Sequence, residues 1–140
     1  MIKIKKTLMV LFFSTLTSLV SAETAVVVAA SNGNATMDKS TISKIFLGKS
    51  KSFPDGSQAI PIDQKDGSPV RGAFNSSVLG KSASQLKSYW SRLIFTGKGT
   101  PPKQSDSDAD VKSLVSNNPN MIGYIDAASV DASVKVIHKF

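Results

Sequence analysis

The sequence has no cysteine and one histidine, and 7% of its 140 residues are aromatic. Without cysteine there is no disulfide, no thiolate nucleophile, no cysteine-ligated zinc and no lipid-modified cysteine. The single histidine, His138, alternates within an extended segment near the end of the sequence, with no Cys, Asp or Glu beside it. It reads as a structural residue rather than a metal ligand or the base of a serine triad. Acidic charge is also sparse, with 10 Asp and Glu against 17 Lys and Arg and a formal net charge of +7. Three of the basic residues are Lys3, Lys5 and Lys6, and every acidic residue follows Ala22, which leaves 14 against 10, a net +4, for the remainder. The cations are spread singly from Lys39 to Lys139, a solvated surface and not the basic, aromatic-interleaved patch of a nucleic-acid protein.

What is present begins with Lys3, Lys5 and Lys6 followed by the apolar run Leu8 to Phe13, continued by Leu16, Leu19 and Val20, and then the small residues Ser21 and Ala22. This is the layout of a secretory signal peptide cleaved after Ala22, too short and too interrupted by Ser and Thr to span a membrane. The expectation is a soluble domain over residues 23–140, periplasmic by preference and fully secreted as the second choice. One compact domain suits that length, and two full-size cores do not.

Thr24 to Ala30 is a β-branched apolar run bounded by Ser31-Asn32-Gly33-Asn34, the pattern of a strand covered on both faces. Asp38 or Ser40 caps a helix with Ile42, Ile45 and Phe46 on one face and Gly48 at its end. Lys49 to Gln58 is a loop, and Ala59 to Ile62 is a short extended segment whose Pro61 marks an edge or an end. Asp63 to Ser68 turns, and Pro69 to Leu79 carries Val70, Phe74 and Val78 at helical spacing. A helix from Ser84 to Ile94 directs Leu86, Trp90, Leu93 and Ile94 inward, with Trp90 expected to anchor the core. Thr96 to Ser105 reads as loop, Ser107 or Asp108 as the cap of a helix carrying Val111, Leu114 and Val115, and Met121 to Ile125 and Ser133 to Lys139 as strands. Strands alternating with helices predict an α/β layer fold, a mixed, mostly parallel sheet flanked by helices.

Two motifs invite chemistry and fail. Gly-Lys-Ser at 48–50 and 80–82 needs a glycine five positions earlier to form a nucleotide loop, and Ser43 and Asn75 stand there. Both runs read as helix ends. Asp106, Asp108 and Asp110 open like a calcium loop that then requires Gly and Glu where Val111 and Asn117 stand, so they suit the positive end of a helix. No base, nucleophile and orienting group collect anywhere, which argues against an enzyme and leaves no metal or cofactor to expect. The segment Asp63-Gln64-Lys65-Asp66-Gly67-Ser68-Pro69-Val70-Arg71 is more informative. Ser68 fits an N-cap and Pro69 the first helical position, so the unpaired N–H groups there, the Ser68 hydroxyl and Arg71 could hold an anion.

Three segments in order, Ile45-Phe46-Leu47-Gly48-Lys49, Asp66-Gly67-Ser68 and Asn118-Pro119-Asn120-Met121-Ile122-Gly123-Tyr124-Ile125, together with Trp90 and Gly97-Lys98-Gly99, resemble the substrate-binding proteins of phosphate ABC transporters. The resemblance implies a periplasmic-binding-protein-like domain that binds phosphate or a related oxyanion at Gly67, Ser68 and Arg71 with Gln64 in support, and a transporter permease as partner. It extends over the middle and second-lobe portion of the family. In that family an arginine precedes the serine by four residues and Gly-Thr follows it, whereas this sequence has Gln64 and Pro69-Val70. The alternative expectation is an envelope interaction or structural module that keeps the fold without transport, and pairing of two copies would let a second chain supply missing donors.

Overall fold

A computed structural model describes residues 23–140; the signal-peptide reading of residues 1–22 lies outside them. The chain runs β1 (Thr24–Ala29), α1 (Lys39–Phe46), β2 (Ile60–Gln64), α2 (Pro69–Phe74), α3 (Ala83–Phe95), β3 (Lys103–Ser105), α4 (Asp108–Asn117), β4 (Met121–Asp126) and β5 (Val134–Lys139). The five strands form one sheet in the order β3-β2-β4-β1-β5. β2 pairs in parallel with β3 and β4, while β1 is antiparallel to both β4 and β5. Four strands therefore share one direction and β1 alone opposes them, giving the expected mixed, mostly parallel sheet.

Alternation along β1 divides the core. Val26 and Val28 point to one face, with Ile42, Phe46, Phe74, Ile122 and Tyr124; Ala25 and Val27 point to the other, with Ile62, Val111, Val115 and Ile125. All six residues of β1 are buried, and after Thr24 at its start every one of them is apolar. On the first face the Phe74 ring stacks on Tyr124 at 4.0 Å between centroids and meets Phe46 edge-on at 4.6 Å. On the second face α4 lies so close to β4 that a Cβ on Gly123 would stand 2.5 Å from Val111 Cγ1.

The caps follow the sequence. Asp38, Ser68 and Ser107 accept from the first-turn N–H groups of α1, α2 and α4, and Ser82 forms a reciprocal capping box with Gln85 at the start of α3. Both Gly-Lys-Ser runs are helix ends, with Gly48 and Gly80 at φ +72° and +62°.

Four expectations need correction. β2 is interior, because β3, inside the segment read as loop, takes the sheet edge beside it. Pro61 is tolerated near the start of β2: the N–H of Ile60 is directed to the carbonyl of Asn120, just before β4, so the donor missing at Pro61 faces the β3 side, where pairing begins only at Ile62. Asp63 and Gln64 belong to β2 rather than to the turn, and the helix from Pro69 widens into a π-helical turn over Asn75–Leu79. Trp90 is buried as expected, but against Gly48 and Gly99 and outside the two core clusters among the described residues, because α3 packs on the loop after α1 and not on the sheet, and Ile94, expected on the same inward face, is 54% exposed.

Candidate functional site

In a parallel arrangement the carboxyl ends of β2, β3 and β4 come together, the place where α/β sheets present their loops to ligands. Here that end gathers the turn after Gln64, the start of α4 after Ser105, and a single 3-10 turn at Ala127–Ser129 after β4. Gln64 is in register with Ser105, and the N–H of Lys65 donates to Ser105 O at 3.0 Å. The backbone then reverses through Gly67 at φ +84°, a conformation that side chains with a Cβ rarely adopt. Ser68 follows as N-cap, its Oγ accepting from the N–H of Arg71 at 3.4 Å and its carbonyl from the N–H of Gly72 at 3.1 Å.

The four residues predicted for the site, Gln64, Gly67, Ser68 and Arg71, are brought together within this one turn. Their polar atoms are engaged with one another and with acids. Ser68 Oγ donates to Gln64 Oε1 at 3.0 Å. Arg71 Nη1 donates to Gln64 O at 2.9 Å and pairs with Asp66 Oδ1 at 2.8 Å, while Nη2 stands 3.5 Å from Asp63 Oδ2. The amide of Gln64, 3% exposed, donates to Asp108 Oδ1 at 2.6 Å and to Tyr124 O at 2.9 Å. Asp108 in turn accepts from the N–H of Asp126 and the hydroxyl of Ser129, both at 3.2 Å. Gln64 is thus a buried, neutral link between the turn after β2 and the first turn of α4. The N–H groups of Gly67 and Val70 make no hydrogen bond among the described residues, as the unpaired donors of a helix start do.

Three framework residues escape a reading of the sequence: Asp63, Tyr124 and Asp108. Tyr124 Oη donates to Asp63 Oδ1, and the N–H of Gln64 donates to the same oxygen at 2.9 Å and to Tyr124 Oη at 3.1 Å. Burial raises the Asp63 carboxyl above its ordinary value, against the opposing effects of the Tyr124 hydroxyl and the Arg71 charge. Burial and the neighbouring Asp63 also raise the Tyr124 hydroxyl, which stays a neutral donor. The available signal was a tyrosine within an otherwise aliphatic strand, since a buried hydroxyl requires a partner. Among the described residues no group of three or more His, Asp or Glu could hold a metal ion.

The domain has counterparts of known structure. A protein from Clostridium perfringens assigned as a phosphate ABC transporter substrate-binding protein, with bound phosphate, superposes with a TM-score of 0.67 at 26% identity over 83% of this chain and 45% of that one. An ABC-type phosphate transport receptor from Vibrio cholerae gives a TM-score of 0.67 at 22% identity, over 84% of this chain and 46% of that one. PstS from Borrelia burgdorferi gives 0.60 at 13% identity, over 83% and 47%. The last two, at their low identity, speak for the fold alone. No protein-family model and no curated protein sequence matches the chain. The chain spans less than half the length of each of these structures. It is structurally homologous to phosphate ABC transporter substrate-binding proteins and has, in one compact domain, their periplasmic-binding-protein-like fold.

Proposed function

We propose that the domain binds phosphate or a related oxyanion at the turn Gly67–Arg71, as part of an exported, non-catalytic solute-binding component of an ABC-type phosphate transport system. The observation that carries this reading is the placement of that turn, a helix start with two open N–H groups, at the carboxyl end of an interior parallel strand. Gly67 and Val70 would donate from the backbone, Ser68 from its hydroxyl and Arg71 from its guanidinium. Gln64 supports from below by fixing Ser68 and Arg71. Binding requires local exchange: the anion replaces Asp66, whose carboxylate is 86% exposed, as the partner of Arg71 Nη1. An ion pair so open to water is worth about 0–1 kcal/mol, so the exchange costs little. The Ser68 hydroxyl rotates from Gln64 towards the anion. A transporter permease would be the partner, and the periplasm the compartment, with signal cleavage after Ala22.

The test is a calorimetric titration with phosphate, sulfate as competitor, and Ser68→Ala and Arg71→Ala as variants. Saturable binding at micromolar or tighter affinity, lost in both variants, supports the reading. No heat up to millimolar phosphate overturns it.

A second reading, an envelope interaction module that keeps the fold without transport, is favoured by the internal satisfaction of Ser68 and Arg71. Under it, Ser68→Ala costs cap stability alone and leaves capture of the envelope partner intact, while substitutions on an exposed face abolish it. Pairing of two copies at the turn would appear as concentration-dependent dimers in sedimentation.

A further inference from the structure

The carboxyl end of the sheet leaves most of the positive charge of the domain elsewhere. Residues 39–51 and 81–103 carry nine Lys and Arg and no Asp or Glu. They comprise α1 with its following loop, and α3 with the loop into β3. Tyr89 Oη of α3 donates to Leu47 O at 2.6 Å, and the Trp90 ring would lie 3.4 Å from a Cβ on Gly48, so the two segments are joined side by side. Between them a cleft of about 480 Å³ is lined by Lys49, Lys51 and Lys98 beside Leu93 and Ile94. It continues past Lys51 and Trp90 into a recess edged by Lys103. Ion pairs among the described residues use Arg71 and Lys112 and none of these nine cations.

The end of α3, beside this cleft, carries two exposed apolar residues in succession. Ile94 is 54% and Phe95 92% exposed at the end of α3, the large hydrophobic side chains that the described residues leave in water. A single exposed hydrophobic side chain is ordinary. Two in succession, set among unpaired cations with no acid between them, match what an anionic bilayer binds: apolar side chains enter the headgroup region while lysines meet lipid phosphates. An acidic peptide in the cleft would cover Ile94 but leave Phe95, which is not part of the lining, in water.

We propose that the α1–α3 face docks on an anionic lipid surface, with Ile94 and Phe95 inserted at the headgroups and Lys49, Lys51, Lys98 and Lys103 against the phosphates. This holds whether or not the turn at Gly67 binds an anion.

Co-sedimentation with phosphatidylcholine vesicles, with and without a third of phosphatidylglycerol, tests it on the purified protein, all variants sharing one N-terminus. The expected result is binding to the phosphatidylglycerol vesicles alone, released by about 0.5 M salt. Lys49→Glu/Lys98→Glu should weaken it at least about tenfold, and Phe95→Ser several-fold, with unchanged circular dichroism and thermal unfolding. Lys65→Glu/Lys139→Glu, with the same change in net charge on exposed residues away from this face, should bind as the parent does. Absence of vesicle binding, equal binding to pure phosphatidylcholine, or equal loss in the Lys65→Glu/Lys139→Glu control would overturn the proposal. So would a preference for soluble polyglutamate that displaces the protein from vesicles without need of Phe95. Phosphate titration of Lys49→Glu/Lys98→Glu reads the site at Gly67 separately.

Discussion

Gln64 shows how much one neutral side chain can determine. The resemblance placed an arginine at this position, and the sequence offered glutamine in support of the turn. The structure gives this neutral side chain hydrogen bonds alone. Its amide donates twice, to a carboxylate and a carbonyl, and its carbonyl oxygen accepts from Ser68, so every atom of the group is employed away from solvent. Gln64→Leu preserves the volume approximately and leaves Asp108 Oδ1, Tyr124 O and the Ser68 hydroxyl short of a partner. Each such group costs about 1–3 kcal/mol when buried. Since Asp108 and Ser68 have some access to water, a total loss of about 2–4 kcal/mol is expected in urea unfolding. Ser68→Ala should cost about 1 kcal/mol, the ordinary value of a helix cap. If the two variants lost equal stability, Gln64 would be no more than a neighbour of the cap. The identities of Gln64, Gly67, Ser68 and Arg71 as one turn were legible because capping chemistry is local. Their entanglement with Tyr124, 60 positions from Gln64, and with Asp108, 44 positions away, was not.

At the scale of elements, what the sequence announced were those helices and strands whose pattern is written in their own side chains. β1, α1, α3, α4, β4 and β5 carry apolar spacing and caps within themselves. β3, by contrast, is three residues, Lys103 to Ser105, two of them exposed, and exists because β2 offers it an edge. Pro61 stands near an end of β2, one of the two places expected, but not at an edge: its missing donor matters only on the side where a partner is paired, and that is decided by tertiary register. Trp90 is buried, as its bulk and helical phase announced, but against the loop after α1 and outside both core clusters, a placement that only the packing of α3 decides. The contact between α4 and β4 yields the sharpest test at this scale. Gly123→Ala would place a methyl 2.5 Å from Val111 Cγ1 and 3.3 Å from Val115 Cγ2, in a face already filled. Overpacking of this kind costs about 1–3 kcal/mol. In the Gly123→Ala/Val111→Ala double variant the space vacated by valine receives the new methyl. Its unfolding free energy should therefore fall by less than the sum of the two single losses, a coupling expected between residues in contact. Additive losses would mean that α4 moves as a body to relieve the clash.

The whole molecule separates its charges, with Asp63, Asp66, Asp106, Asp108 and Asp110 at or near the carboxyl end of the parallel strands and a run of cations along α1 and α3. This arrangement makes global stability depend on pH through groups that act in opposite directions. Asp38, Asp55 and Asp131 are lowered, the first two by hydrogen bonds from Thr41 and Ser57 and the third by hydrogen bonds from Lys112 and Ser133. Each contributes stability above the ordinary carboxylate value that is lost as pH falls through the folded-state value, and all three lie in water, where the contribution is small. Asp63 is raised by burial. The native state therefore holds its proton more tightly than the unfolded chain does, so its contribution is fully present below the ordinary carboxylate value. It is lost as pH rises through the higher folded-state value. Asp63→Asn keeps an acceptor for the Tyr124 hydroxyl and for the N–H of Gln64 while removing the titration. The stability of the parent minus that of Asp63→Asn, from urea unfolding at a series of pH values, should be largest at the acid end and decline as pH rises, because every other carboxylate cancels in the difference. A flat difference would mean that Asp63 titrates alike in the folded and unfolded chains, and one that grows with pH would mean that the Arg71 charge and the Tyr124 hydroxyl outweigh burial.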